Sequence, residues 1–157
     1  MGCLCAVCTS SNPKDNRLRT SVLLETKTKT FVIDCGPDFR QQMLRQGVQN
    51  VDAVLLTHEH QDHIAGMDEL RGYIFKNDKP MPVYGEERVL ERIKEMYAYA
   101  FSATPYPGAP SFLLHPILPG HLNLEGFELE AIRLQHGNLQ TLGFVIGRFA
   151  YLTDVNH

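Results

Sequence analysis

Short apolar runs separated by polar turns recur along this 157-residue chain and predict a fold rich in strands. Runs of about four to eight residues that contain valine, isoleucine, leucine and phenylalanine are typical of strands. They predict strands at residues 19–25, 30–34, 52–56, 81–84, 112–118, 127–134, 141–146 and 149–152. Because helical segments are interspersed with these strands, we expect a mixed α/β fold with sheet inside and helices outside.

Apolar residues that recur at helical spacing predict the helices of the chain. These helices are expected at residues 38–46, 65–73 and 86–99. Asp38 is predicted to cap the first helix, and Gly47 is predicted to end it. The segment 101–110, which is rich in proline, is predicted to be an irregular loop.

The composition is that of an ordinary globular protein, with 43% hydrophobic and 21% charged residues. A formal net charge of -3 argues against broad nucleic-acid binding, although a local basic groove stays open. The chain has no apolar run of bilayer length and no signal-peptide pattern. We therefore expect a cytoplasmic protein without a membrane partner. The sequence leaves open whether the chain forms a homodimer.

The densest chemistry of the chain comes directly after the predicted strand 52–56. Four metal-ligand side chains fall within six positions: His58, His60, Asp62 and His63. Neutral imidazole suits zinc, iron or manganese, and an added carboxylate favours harder ions. A tight loop followed by a helix would turn two imidazoles toward one point and the Asp–His pair toward a neighbouring point. Chance is a poor explanation for this density.

Further ligands are needed if this stretch holds two metal ions. Two ions about 3.5–4 Å apart would share a water and convert it to hydroxide near neutral pH. His136 and Asp154 also follow predicted strands, and the Asp154 carboxylate could either bridge two ions or cap a turn. Asp34 is expected to accept the N–H of a ligand imidazole. We interpret the remaining histidines and spacers as structural or solvent-facing residues: His115, His121, Glu59 and Gln61.

Cysteines cluster at the N-terminus, where Cys3, Cys5 and Cys8 form a C-x-C-x-x-C pattern. Three thiolates at this spacing can bind one zinc ion if a fourth ligand comes from elsewhere. The alternative is a set of reduced thiols in a flexible terminus, and spacing alone leaves both open. Cys35 has no obvious base beside it, and no G-x-S-x-G pattern appears, so a nucleophilic triad is not supported.

Residues 57–66, with the sequence T-H-E-H-Q-D-H-I-A-G, resemble the T-H-x-H-x-D-H-x-x-G signature of the metallo-β-lactamase fold. Asp34, His136 and Asp154 fall in that family's order, so the resemblance extends over nearly the whole chain. It implies one domain over residues 1–157 and an αββα sandwich with a dinuclear metal site between its two sheets.

The same resemblance assigns roles to individual residues. The implied ligands are His58, His60 and His136 for one ion, Asp62 and His63 for the second ion, and Asp154 as the bridge. The implied catalytic residues are Asp62, His63 and Asp154. The implied cofactors are two divalent ions, zinc or manganese.

Four segments resemble the PhnP-type phosphodiesterases, which hydrolyse cyclic ribose phosphates in phosphonate breakdown. They are residues 2–8, 17–21, 34–40 and 66–71. This similarity implies a structural zinc at Cys3, Cys5 and Cys8, and hydrolysis of a small or cyclic phosphodiester by a metal-bridging hydroxide.

Other activities share these ligands and stay open. One is a tRNA-processing endonuclease, although the chain shows no basic arm that would grip tRNA. Another is a PqqB-like, non-catalytic metal-binding accessory protein, and hydrolysis of a lactone or thioester is a third.

The chain also departs from the PhnP-type pattern. It opens almost directly on Cys3, and His157 does not match the position of a later metal-binding histidine. The relatives continue with a histidine for the second metal, one for the structural zinc and a catalytic one. We therefore expect the domain to be incomplete at both termini, poorly active, and depleted of metal at the second ion and at the cysteine site.

Overall fold

Two facing β-sheets form the centre of the computed structural model, which describes residues 2–156. The first sheet contains, in spatial order, β1 (Val22–Glu25), β2 (Thr30–Ile33), β3 (Ala53–Leu55), β4 (Met81–Gly85) and β5 (Phe112–Pro116). The second contains β6 (Gly120–Leu124), β7 (Phe127–His136), β8 (Leu139–Ile146) and β9 (Phe149–Tyr151). β1 pairs antiparallel with β2, and β2 to β5 are parallel. The second sheet is antiparallel throughout.

Helices cover one face of the first sheet. Those described are α1 (Phe39–Gln46), α2 (Gln61–Ile64), α3 (Arg71–Asn77) and α4 (Glu87–Met96). Single 3₁₀ turns lie at Pro13–Asp15, Met67–Leu70 and Ala98–Phe101. Within residues 2–156, no helix is long and apolar enough to cross a bilayer.

Two apolar cores hold the layers together, one on each face of the first sheet. The alternation of side chains along β2 shows the division, because Val32 faces the helices while Phe31 and Ile33 face the second sheet. Leu142 and Phe144 of β8 complete the core between the sheets. Each such buried side chain contributes about 1.5–3 kcal/mol relative to exposure. Strands buried on both faces explain the continuous apolar runs of the sequence.

The described helices all contribute to the core that covers the first sheet, and none contributes to the core between the sheets. Residues 2–156 therefore show the order helix, sheet, sheet. The outer helix layer that an αββα sandwich would add on the second sheet is not among the described residues.

Several predicted elements are corrected by the structure. The predicted helix 65–73 is helical over most of its length but not continuous, because α2, a 3₁₀ turn and α3 follow one another across residues 61–77. Strand β6 was not predicted, and β7 extends to His136, which is the last residue of the strand. Helix α4 is shorter than the predicted 86–99 and is followed by a 3₁₀ turn.

Of the two predictions for the ends of α1, only one is confirmed. Gly47 ends the helix in the left-handed region, with φ 65°, as predicted. Asp38 occupies the N-cap position but makes no capping hydrogen bond with its side chain. Its Oδ2 instead accepts the backbone N–H of Arg19 at 2.8 Å, so this carboxylate tethers the N-terminal segment to the start of the helix.

Candidate metal centre

Ligand-type side chains from both sheets meet at one edge of the fold. His58 and His60 follow β3, His136 ends β7 and Asp154 follows β9. The ligand atoms of these four residues all lie within 4.8 Å of one another. A second group with the same spacing is formed by Asp62, His63 and Asp154. Asp154 belongs to both groups, and the residues predicted from the sequence are therefore brought together.

The separations within this cluster suit atoms that share a metal ion. His58 Nε2 lies 3.1 Å from His60 Nδ1, and His63 Nε2 lies 3.1 Å from Asp154 Oδ2. Asp154 Oδ2 is also 3.5 Å from His58 Nε2 and 3.9 Å from His136 Nε2. Bonds of about 2.0–2.1 Å in a tetrahedral zinc site place neighbouring ligand atoms about 3.4 Å apart. The donor set therefore fits a divalent ion without a large rearrangement.

Asp34 orients the ring of His63 from the interior of the fold. Both residues are fully buried, and Asp34 Oδ2 lies 2.7 Å from His63 Nδ1. An ionised carboxylate only accepts hydrogen bonds, so Nδ1 of His63 carries the proton. His63 Nε2 is then left with its lone pair directed at Asp154 and the second ligand group. This is the contact that the sequence predicted for Asp34.

Thr57 fixes the ring of His58 through the same carboxylate. Its hydroxyl lies 2.9 Å from His58 Nδ1 and 2.9 Å from Asp34 Oδ2. The single hydroxyl proton goes to the carboxylate, so His58 Nδ1 donates to the hydroxyl oxygen. One buried Asp thus sets the tautomers of two candidate ligands, one directly and one through Thr57. No role is predicted for Thr57 from the sequence, although its place directly before His58 is a signal that could have identified it.

Burial and neighbouring charges shift the ionisation of the centre. Burial, together with His63 and His60, lowers the pKa of His58 to about 3 and keeps this imidazole neutral. Burial opposes the charged form of His63, but the hydrogen bond and charge of Asp34, with Asp154, raise its pKa overall. Burial likewise opposes ionisation of Asp154, yet the charge and hydrogen bond of His63 lower its pKa. The cluster therefore favours a positive charge between His63 and Asp154, where a metal ion would place one.

The short helix α2 lies directly against the turn that follows β2. Cys35 N–H donates to His63 O at 2.7 Å, and Gly66 N–H donates to Cys35 O at 2.8 Å. A Cβ at Gly36 would lie 2.0 Å from Asp62 O, and one at Gly66 would lie 2.0 Å from Gly36 O. Both positions need glycine because the backbones approach so closely. This contact places Asp62 and His63 beside the buried Asp34.

Two carboxylates of the site, those of Asp34 and Asp154, stand at sharp turns. Asp34 has φ 63° and Asp154 has φ 49°, in the left-handed region that aspartate tolerates better than most residues. Unusual backbone of this kind persists where the surrounding structure holds it in place. It turns each carboxylate back toward the ligand cluster at the end of a strand.

The cysteines form a separate group that is exposed to solvent. The ligand atoms of Cys3, Cys5 and Cys8 lie within 4.8 Å of one another. A hydrogen bond from the backbone N–H of Cys8, together with contacts to the other thiols, lowers the pKa of Cys5 to about 7. One thiolate is therefore accessible near neutral pH, which favours metal binding. Cys35 is buried elsewhere, and burial raises the pKa of its thiol well above the ordinary value.

The two spacers of the motif differ from each other. Glu59, which we interpreted as solvent-facing, instead forms an ion pair with Arg88 of α4, and its side chain is 26% exposed. Gln61 is exposed, as expected, and contacts Met96 through its amide. His115 stacks on Tyr84 with ring centroids 4.7 Å apart, which agrees with a structural role. No pattern in the sequence indicates the pairing of Glu59 with Arg88.

Comparison with known protein families agrees with this geometry. Residues 29–157 match the model of the β-lactamase superfamily domain. The chain belongs to this superfamily. Its two sheets and the helices on the first sheet are those of the metallo-β-lactamase fold, which confirms the fold expected from the motif of residues 57–66.

The proteins that resemble this chain are named for different activities. A solved diphosphatase of the PhnP family shares 34% identity and a TM-score of 0.86, covering 97% of this chain and 58% of that one. An octanoyltransferase of Porphyromonas gingivalis is 43% identical over 99% of this chain and 32% of its own length. A ribonuclease Z of Bradyrhizobium diazoefficiens is 28% identical over 87% of this chain and 46% of its own length. The chain thus spans between a third and three-fifths of these proteins.

Proposed function

We propose that this chain carries the dinuclear metal centre of a hydrolase that cleaves small or cyclic phosphodiesters. The observation that carries the proposal is the position of Asp154, whose carboxylate belongs to both ligand groups. A carboxylate shared in this way is what two adjacent ions need as a bridge. The nearest ligand atoms on either side of it come from His58, 3.5 Å away, and His63, 3.1 Å away.

The roles of the ligands follow from the two groups. We assign one ion to His58, His60 and His136 and the other to Asp62 and His63, with Asp154 between them. When bound, two divalent ions such as zinc or manganese lower the pKa of a shared water and offset charge on phosphoryl oxygens. Asp34 and Thr57 keep the protons of His63 and His58 on Nδ1, so that both Nε2 atoms stay directed into the centre.

Access to the centre favours a substrate that approaches from one side. The side chains of His58 and His63 are fully buried, whereas that of Asp62 is 52% exposed and that of Asp154 is 32% exposed. The buried histidines fix the geometry, and the exposed carboxylates face the open side. We assign the catalytic roles to Asp62, His63 and Asp154. Similarity to a PhnP-family diphosphatase and the modest net charge of -3 support a small substrate.

The cysteine group supports a second proposal, a structural zinc at Cys3, Cys5 and Cys8. Three sulphur atoms within 4.8 Å of one another match part of a tetrahedral zinc site. A fourth ligand is needed to complete it. The lowered pKa of Cys5 favours the thiolate form in which cysteine binds zinc.

Turnover of bis(p-nitrophenyl) phosphate with added manganese or zinc tests the phosphodiesterase proposal. We expect metal-dependent hydrolysis, and we expect it to be slow because the second ion has few ligands among residues 2–156. His60→Ala should abolish it, because His60 belongs to the ligand group of the first ion. His121→Ala is the matched control, since this exposed histidine lies on β6 outside both ligand groups. Full metal binding without hydrolysis would contradict the proposal and favour a non-catalytic, metal-binding accessory protein.

Ribonuclease activity is the second candidate, and similarity to ribonuclease Z over 87% of the chain favours it. A tRNA precursor with a 3′ extension distinguishes the two substrates when it is assayed beside the small diester. Cleavage of the precursor with no turnover of the small diester would transfer the proposal to RNA. We expect the reverse, because the formal net charge of -3 disfavours a polyanionic substrate.

A further inference from the structure

A cluster of alternating charges lies beside the metal-ligand loop. It consists of Glu59, Glu86, Arg88 and Arg133, and we name it the Arg88 cluster. The Arg88 guanidinium donates to Glu59 Oε2, to Glu86 Oε2 at 3.2 Å and to the backbone carbonyl of Gln140. Arg133 Nη1 donates to the other oxygen of Glu86. Two acidic and two basic side chains therefore balance one another.

This cluster joins the segments that carry the histidines of the first ligand group. Glu59 lies between His58 and His60 in the loop after β3. Gln140 lies on β8, next to the position that pairs with His136 in the β7–β8 register. Arg88 contacts both segments from the first turn of α4. One side chain thus connects the loop of the first sheet with the hairpin of the second.

A backbone hydrogen bond also joins the same segments. Leu142 N–H of β8 donates to Thr57 O at 3.0 Å. This bond joins the loop and the hairpin at Leu142, close to the packed core between the sheets. The contact of Arg88 with Gln140 adds a second point closer to the end of the hairpin, where His136 lies. Of these two hydrogen bonds, the one from Arg88 is therefore the closer to His136 along the hairpin.

We propose that Arg88 is a positioning residue that holds the hairpin end carrying His136 against the loop carrying His58 and His60. The ring centroids of His60 and His136 lie 5.3 Å apart, across the boundary that Arg88 spans. This inference rests on the proposed metal centre and extends it to a residue outside the ligand set. A residue that orients a ligand typically changes metal affinity by about 10–100-fold when it is removed.

The chemistry of the cluster requires arginine. Glu86 is only 7% exposed, so its charge needs paired partners. A planar guanidinium can donate to two carboxylates and a carbonyl at fixed angles, whereas a lysine ammonium acts as a point charge on a flexible stem. Lysine at position 88 would keep the charge of the cluster and lose its geometry. Arg88→Lys therefore separates electrostatic balance from positioning.

Cobalt binding to the full chain tests this role. Co²⁺ held by imidazole and carboxylate groups gives d–d absorption bands without the sulphur-to-metal bands of the cysteine group. We expect Arg88→Met to weaken Co²⁺ binding at these bands on the order of 10-fold and to change their shape. Arg88→Lys should also change the band shape. Arg92→Met is the matched control on the same helix, because Arg92 pairs with the exposed Glu95.

Urea unfolding of the metal-free proteins separates positioning from general stability. Glu59→Gln removes only the loop side of the contact, and it should shift Co²⁺ affinity in the same direction as Arg88→Met, even if the latter folds poorly. Wild-type bands and affinity in Arg88→Met or Glu59→Gln, with or without a change in stability, would overturn the positioning role. Failure of the wild-type chain to bind Co²⁺ at imidazole bands would overturn the metal centre itself, together with the inference.

Discussion

The two candidate metal groups are held in place in different ways. The histidine and aspartate ligands come from three chain segments and rest on buried hydrogen bonds to Asp34 and Thr57. The three cysteines come from one exposed N-terminal loop, whose hydrogen bonds are local, such as Thr9 N–H to Cys5 O at 3.0 Å. The first group exists because the whole sandwich folds. The three thiols of the second come together within a few consecutive residues, so metal binding at the two groups should respond to different substitutions.

The largest effect is expected when a ligand from the distant hairpin is removed. His136→Ala should reduce Co²⁺ affinity, measured at the imidazole bands, by more than loss of a ligand-orienting residue does. Loss of such a residue typically costs about 10–100-fold. The sulphur-to-metal bands of the cysteine group should not change. His115→Ala serves as the control, because that ring stacks on Tyr84 on the first sheet. Parallel loss of both sets of bands would show that the two groups are not independent.

Substitution of the buried carboxylate should have the next largest effect. Asp34→Asn keeps the side-chain volume but replaces one accepting oxygen with a donor, so His63 Nδ1 or Thr57 loses its partner. We expect Co²⁺ affinity at the imidazole bands to fall by about 10–100-fold. Titration of the absorption bands measures this loss.

Asp52→Asn is the matched control for this carboxylate. Asp52 lies at the opposite end of the parallel strands, where its Oδ2 accepts Thr30 N–H at 2.7 Å. It should affect stability without affecting metal binding. Equal affinities for the two variants would refute the role given to Asp34.

The sequence predicted part of the histidine and aspartate site. The structure brings His136, Asp154 and Asp34 into one region, as their positions after apolar runs indicated, and their roles toward a metal stay predictions. The position of α2 was missed because it depends on the backbone contact of Gly36 with Asp62, which helical periodicity does not record. Glu59 was misinterpreted for a similar reason, since its partner Arg88 lies on another element.

Strand β6 shows a different limit of sequence patterns. Its residues alternate between partly buried and exposed positions at the edge of the second sheet, and only Leu124 is buried. An edge strand of this kind lacks the continuous apolar run that marked β3. Its pairing with β7 is decided by the neighbouring strand and by the turn at Gly126.

A smaller effect, on stability, is expected at Gly36, whose backbone lies against that of Asp62. Gly36→Ala would place a Cβ 2.0 Å from Asp62 O and should lower the free energy of unfolding by about 1–3 kcal/mol. Gly72→Ala is the matched control, because nothing lies within 4 Å of a Cβ there and the residue is inside α3. That control should be neutral or stabilising by up to about 1 kcal/mol. Urea unfolding of metal-free protein measures both, and equal stabilities would contradict the close approach.

The smallest effect on stability is expected in the cysteine loop. Cys5→Ser should change the free energy of unfolding of the metal-free chain by less than about 0.5 kcal/mol, because the residue is exposed and its contacts are local. Zinc that the wild-type chain holds through these thiolates should be absent from the variant, and the Co²⁺-loaded variant should lack the sulphur-to-metal bands. Metal analysis together with urea unfolding measures both quantities.

Thr9→Val provides the control that separates the thiols from the loop. It removes the hydrogen bond from Thr9 Oγ1 to Cys5 O at 3.0 Å and leaves all three thiols in place. Zinc content should then be retained, because the sulphur atoms and not this bond bind the ion. Unchanged zinc content in Cys5→Ser would rule out the structural zinc. A lowered free energy of unfolding of metal-free Cys5→Ser would show that the cysteine loop is coupled to the sandwich. That result would contradict the independence of the two groups.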